Sequence, residues 1–145
     1  DWADIRGYMV NVCRSVNVRG EQTQGKNENA VRSFQLSALA RRVLDDQQAA
    51  TGGRGSVFRI TNEQHYYKRW KIYCATNGLT PCSPYELRHT FVSVVKTLPA
   101  GEVKALVGHS ADMDTFGVYS HTLTGDAAHT AQAVNGVFLQ VLKNA

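Results

Sequence analysis

The 145 residues suit a single domain with a real core, and 43% apolar against 19% charged residues, with only three prolines and no low-complexity tract, excludes disorder and collagen-like architecture. The longest apolar runs, such as Ala38 to Ala40, are far too short to span a bilayer, and the opening DWADIRGY lacks a basic-then-apolar leader, so a soluble, unexported protein is expected with no membrane partner. Lys and Arg exceed Asp and Glu by 16 − 12 = 4, a balance that permits a polyanionic partner without identifying one.

The chain opens with Asp1 rather than Met, in mid-pattern and without a preceding cap, which reads as a piece of something longer. From Tyr8 to Val18 the even positions carry Tyr8, Val10, Val12, Arg14, Val16 and Val18 between mostly polar neighbours, a period of two that predicts one or two antiparallel strands. GEQTQGKNENA, from Gly20 to Ala30, reads as a hairpin loop that exposes Lys26 and feeds a second strand through Val31, Ser33, Phe34 and Leu36.

Ser37 can cap a helix bearing Leu39, Val43 and Leu44, which Gly52 and Gly53 end. Thr61 or Asn62 can cap a second, with Tyr66, Trp70, Tyr73 and Cys74 on one face and Asn77 and Gly78 as its stop. Ser83, Pro84 and Glu86 fall at the N-cap, first and third positions of a third helix, a capping box with proline where proline is tolerated, running through Arg88, Phe91, Val94 and Val95 toward Pro99. A short helix from about Ala100 to Val107 closes at Gly108, another helical segment covers Asp114 to His121, and Ala127, Ala131, Val134, Phe138 and Val141 mark a helical tail from about Asp126 to Lys143. Strands followed by helices predict an α+β domain, mainly helical, with a small antiparallel β-sheet near the N-terminus and no internal linker. Cys13, Cys74 and Cys82, read as strand, helix and loop positions, have no CxxC spacing and read as reduced thiols; a zinc site from Cys74, Cys82, His89 and His109 does not follow the usual ligand spacings.

The final third carries three words in order: SPYELRHTFVS, LVGHS and TFGVYSH. Together they resemble the tyrosine recombinases, specifically phage-type integrases, and the resemblance extends over residues 1–145 as a single catalytic domain, because WADI looks like the end of the family's first conserved block and GKNENAVRSFQL like its β-hairpin. The resemblance implies that Arg88 binds the scissile phosphate, that His109 hydrogen-bonds a nonbridging oxygen, that Tyr119 is the nucleophile with His121 trailing it, and that Lys26 is the general acid. It implies site-specific recombination of double-stranded DNA attachment sites through a 3′-phosphotyrosyl intermediate, with no cofactor and no metal. It also implies integration or excision of a prophage or mobile element in a bacterial cytoplasm, at the nucleoid, and a homo-oligomer, a tetramer on DNA, joined through the C-terminal helix.

Two departures stand out. The family commonly has histidine three positions before the box arginine, and this chain has Tyr85, a poor proton acceptor near neutral pH that would hydrogen-bond the phosphate region or pack under Arg88. The family's first catalytic arginine belongs upstream of WADI, and Arg6 does not match it, so the 145-residue chain is expected to be catalytically incomplete. Taken singly, Arg88 would more simply cover an apolar helix face or pair with Glu86 or Asp114, His109 would cap a helix, Tyr119 would pack half-buried and Lys26 would be solvated. A noncatalytic DNA-binding fragment and a topoisomerase of the same tyrosine chemistry are the alternatives.

Overall fold

A computed structural model describes residues 1–16, 21–23, 31–60, 62–108 and 124–144. The chain begins with a turn of 3-10 helix, Trp2–Asp4, whose Trp2 indole is buried and whose Trp2 N–H donates to the Gly55 carbonyl at 2.9 Å. Five short strands follow among the described residues: β1 (Ile5–Arg6), β2 (Met9–Val12), β3 (Ser15–Val16), β4 (Gln22–Thr23) and β5 (Arg32–Gln35). They form a three-stranded antiparallel sheet in the order β1-β2-β5 and a separate two-stranded ladder of β3 with β4. Gly7, at φ 58°, makes the tight β1–β2 turn in the left-handed region that glycine enters without steric cost.

Two sequence expectations change here. The stretch from Tyr8 divides into two strands, β2 and β3, as one of the two readings had it, but Cys13, read as a strand position, lies between them and exposed, where Arg14 turns to pair with the carboxylates of Asp1 and Asp4. Gln22 and Thr23, within the stretch read as loop, pair with Val16 and Ser15, so the hairpin ladder reaches further out than its polar composition suggests. Apart from the exposed Glu21, the rest of that loop lies outside the described residues.

Five helices follow among the described residues: α1 (Ala38–Thr51), α2 (Glu63–Thr76), α3 (Pro84–Val94), α4 (Ala100–Val107) and α5 (Thr124–Lys143). The result is an α+β domain, mainly helical, with a small antiparallel sheet near the N-terminus. The helix bounds follow from local chemistry. Ser37 Oγ accepts from the Ala40 N–H at 3.2 Å, Asn62 Oδ1 from the His65 N–H at 3.0 Å and Ser83 Oγ from the Glu86 N–H at 3.2 Å, each satisfying a donor that the first turn of a helix leaves without an intrahelical partner. Gly52 and Gly108 end α1 and α4 at φ 73° and 70°. Between the two caps offered for α2, Asn62 is the one used; the segment read as helix from Asp114 to His121 lies outside the described residues.

The core gathers where α3, α4 and α5 meet. Val95, Val103 and Val134 are its buried members, with Phe91, Leu98, Leu106 and Phe138 against them. Phe91 and Phe138 stack with ring centroids 6.0 Å apart. The tail helix therefore spends its predicted face on its own domain, from Ala131 to Phe138, while Val141 at its far end is exposed. Asn135 anchors it to α1 by accepting from the Leu39 N–H at 3.0 Å. The α1 face is narrower than its pattern suggests, since Val43 is 66% exposed. On α2, Cys74 is buried and Trp70 donates to the Cys82 carbonyl at 2.7 Å, whereas Tyr73 stacks on the outer side of Trp70 and stays exposed. No helix among the described residues is long and apolar enough to cross a membrane.

Candidate functional site

Arg88 sits about one turn into α3, so its position is set by where that helix begins. The start is fixed twice over: Pro84 supplies a pre-set φ at the first helical position, and Ser83 and Glu86 exchange hydrogen bonds in a capping box. The Glu86 carboxylate accepts the Ser83 backbone N–H, and this bond first, with the Ser83 hydroxyl second, holds its pKa below the usual glutamate value. Glu86 is thus committed to the helix start, and among the described residues no carboxylate forms an ion pair with Arg88.

From the middle of α3 the half-buried Arg88 side chain reaches the end of α4, where Nη2 donates to the Val107 carbonyl oxygen at 2.6 Å. The last carbonyls of a helix have no intrahelical partner and carry the negative end of its dipole, so a guanidinium there is doubly favoured. Gly108 follows immediately in the left-handed conformation, its N–H returned to the Lys104 carbonyl at 2.9 Å, and turns the chain at the point where the GHS word begins.

A second guanidinium arrives at the same helix end from the sheet. Arg32, on β5, donates through Nε to the Leu106 carbonyl oxygen at 3.0 Å. Leu106 and Val107 are consecutive, so the two cations are held on adjacent carbonyls of one helix terminus. Burial first, and the positive charge of Arg88 second, lower the pKa of Arg32 below its ordinary value. Sequence reasoning missed Arg32. The available signal was its phase: β5 pairs Arg32 with Val12 and Phe34 with Val10, so Arg32 shares the face of Phe34, the inward face, where an arginine needs a reason.

The other candidates are distributed as follows. Tyr85 is 64% exposed, and its ring contact is an edge-to-face approach to His89 with centroids 4.9 Å apart. His89 is exposed beside it. Lys26, His109, Tyr119 and His121 lie outside the described residues. Among the described residues no group of three or more His, Cys, Asp or Glu side chains converges as a metal-binding cluster.

Two of the three sequence words are therefore neighbours in space as well as in order: the arginine of ELRHTF grips the residue that precedes the glycine of GHS. The chemical capacity of the described part is anion binding by fixed guanidinium forks, which match the oxygens of a phosphate and carry charge at every physiological pH. Comparisons of the chain with protein-family profiles, curated proteins and solved structures found no match.

Proposed function

We propose that this chain is the catalytic domain of a tyrosine-type site-specific DNA recombinase, acting on double-stranded DNA attachment sites. In this reading Arg88 holds the scissile phosphate by bidentate contact, and His109 donates a hydrogen bond to a nonbridging oxygen. The Tyr119 oxygen attacks phosphorus as its phenolic proton passes to solvent, the bond from phosphorus to the 5′-oxygen breaks, and Lys26 protonates the leaving 5′-oxygen to give a 5′-hydroxyl. The 3′-phosphotyrosyl link keeps the phosphoryl group activated, so a 5′-hydroxyl from another strand reverses the step without a nucleotide cofactor. The wider reading adds a tetramer on DNA joined through the C-terminal helix, and a cytoplasmic setting at the nucleoid.

The observation that carries this reading is the contact of Arg88 with Val107, because it joins the helix bearing the phosphate-binding word to the helix end from which the histidine word continues.

The test is covalent trapping on a nicked attachment-site duplex whose cleaved strand diffuses away. In the full-length protein, Tyr119→Phe removes one nucleophilic oxygen, so the denaturant-resistant protein–DNA adduct is expected to vanish while noncovalent binding changes by only a few fold. A persistent adduct in that variant refutes Tyr119 as the nucleophile.

A further inference from the structure

We propose that Thr130 is a positioning residue: through its hydrogen bond to Glu102 it holds α4 in the register at which the Val107 carbonyl meets Arg88, so the tail helix sets the geometry of the phosphate-binding guanidinium. That Arg88 binds phosphate rests on the recombinase reading; the link from Thr130 to Arg88 rests on the contacts themselves.

Thr130 lies on α5 and, at 8% exposure, is the one buried polar residue among the described residues. A buried hydroxyl needs a partner, and a helical threonine has one close at hand in the carbonyl one turn back on its own helix. Thr130 instead donates from Oγ1 to Glu102 Oε2 at 2.5 Å, across to the first turn of α4. That helix has little of its own to hold it in place: it is eight residues long, and Pro99 at its N-cap makes no side-chain bond to its first turn. A helix so short does not persist alone in water, so tertiary contacts decide where it lies. Val103 packs with Val95 and Val134, which sets how far α4 stands from α3 and α5. Apolar contact is non-directional and tolerates sliding and rotation. The directional side-chain bonds are at the two ends: Glu102 to Thr130 at the start, and the Leu106 and Val107 carbonyls to Arg32 and Arg88 at the finish. From Glu102 to Val107 is 107 − 102 = 5 residues, about 7.5 Å along one axis, over which a hydrogen-bonded helix moves as a body. A displacement at Glu102 is therefore a displacement of the carbonyl that orients Arg88 Nη2 at 2.6 Å, and such a bond weakens within a few tenths of an ångström.

The competing account is that the Thr130 hydroxyl only stabilises the docked tail. It predicts lost stability and no specific change at Arg88, so the two accounts separate in solution. The Arg88 guanidinium resonances are followed by 15N NMR in the 145-residue chain and in Thr130→Val, which keeps the shape of the side chain and loses the hydroxyl. In the wild type the bond from Nη2 to Val107 restrains guanidinium rotation, and separate Nη resonances are expected at low temperature. In Thr130→Val they are expected to merge toward the average of a freely rotating group, and in Thr130→Ser, which returns the hydroxyl, to separate again. Ser37→Ala, which removes the α1 cap, is the stability control and is expected to leave Arg88 unmoved. Glu102→Ala removes the same bond from its other end and is expected to reproduce the Thr130→Val spectrum, with no further change in the double variant, so the test stands if one of the two fails to fold. Arg88 resonances that keep their wild-type separation in either variant overturn the proposal, as do resonances that merge equally in Ser37→Ala or stay merged in Thr130→Ser. In the full-length protein, Thr130→Val is expected to slow phosphotyrosyl adduct formation at saturating DNA by about tenfold, because a misplaced catalytic group is costly in rate, and Thr130→Ser to restore it; a wild-type rate in Thr130→Val also overturns the proposal. Failure of the recombinase reading looks different: an Arg88 signature that follows Thr130 in a wild-type protein forming no adduct refutes strand cleavage and leaves the positioning standing.

Discussion

Val95 is fully buried at the end of α3 and packs against Val103 of α4 and Val134 of α5, so it pins α5 to the two helices that carry Arg88 and its Val107 acceptor. Val95→Ala deletes two methyl groups, worth about 1.6 kcal/mol at about 0.8 kcal/mol for each buried carbon. A residual cavity of about 50 Å³ adds up to about 1.2 kcal/mol if its walls do not relax, for a total loss of about 2–3 kcal/mol. Val95 is the C-cap of α3 rather than an interior helical residue, so alanine's helix propensity returns little of that loss. With a urea slope of about 2 kcal/mol per molar, the unfolding midpoint falls by about 1–1.5 M at unchanged slope. Val43→Ala is the matched control. The same chemical deletion at a side chain that is 66% exposed in the interior of α1 removes almost no buried surface and trades a β-branched residue for the best helix former. It is therefore expected to be neutral or stabilising by about 0.5 kcal/mol. Denaturation of both variants, read by circular dichroism and tryptophan fluorescence, decides the matter. A Val95→Ala loss below about 0.5 kcal/mol, or one equal to that of Val43→Ala, would refute the assignment of the core to the α3–α4–α5 junction.

Arg88→Lys is expected to depress DNA cleavage severely while EDTA leaves wild-type cleavage unchanged, because an ammonium cannot reproduce the two-pronged contact; activity restored only by added magnesium refutes this. Ser83→Ala should cost about 1 kcal/mol by removing the α3 cap, and a loss of zero measured by thermal unfolding would show the cap to be ornamental. The Glu86 carboxylate has a folded-state pKa below its ordinary 4.5, so its stabilisation is fully present above that value and is lost as pH falls through the lower folded value. The stability gap between wild type and Glu86→Gln should accordingly shrink from pH 6 toward pH 3, and a gap independent of pH contradicts the assignment. Truncation at Thr124 strips Val134 and Phe138 from the core and is expected to abolish cooperative unfolding, whereas a monodisperse, cooperatively folding product would show that α5 is dispensable to its own domain.

The element boundaries were legible in the sequence wherever a side chain acts on backbone within a few residues of itself. Ser37, Asn62 and Ser83 bind amides three residues on, and Gly52 and Gly108 supply a left-handed turn that other residues enter at a cost; none of this depends on the rest of the fold. The hydrophobic spacing of α5 likewise announced a buried face, and Arg88 stood out through the word around it. Tertiary structure alone decided what depends on distant chain. Val43 and Val95 both carry the same side chain in helical patterns, yet only Val95 meets other elements, because burial is a property of what packs above a residue. The strand from Tyr8 stops at Val12 because Arg14 finds Asp1 and Asp4. Arg32 looks, in sequence, like a solubilising residue at the start of a strand. It becomes half of a charge pair only when α4 delivers Leu106 and Val107 to the edge of β5 and α3 delivers Arg88 beside them, since a guanidinium's meaning lies in the field around it and that field is assembled from residues remote in the chain.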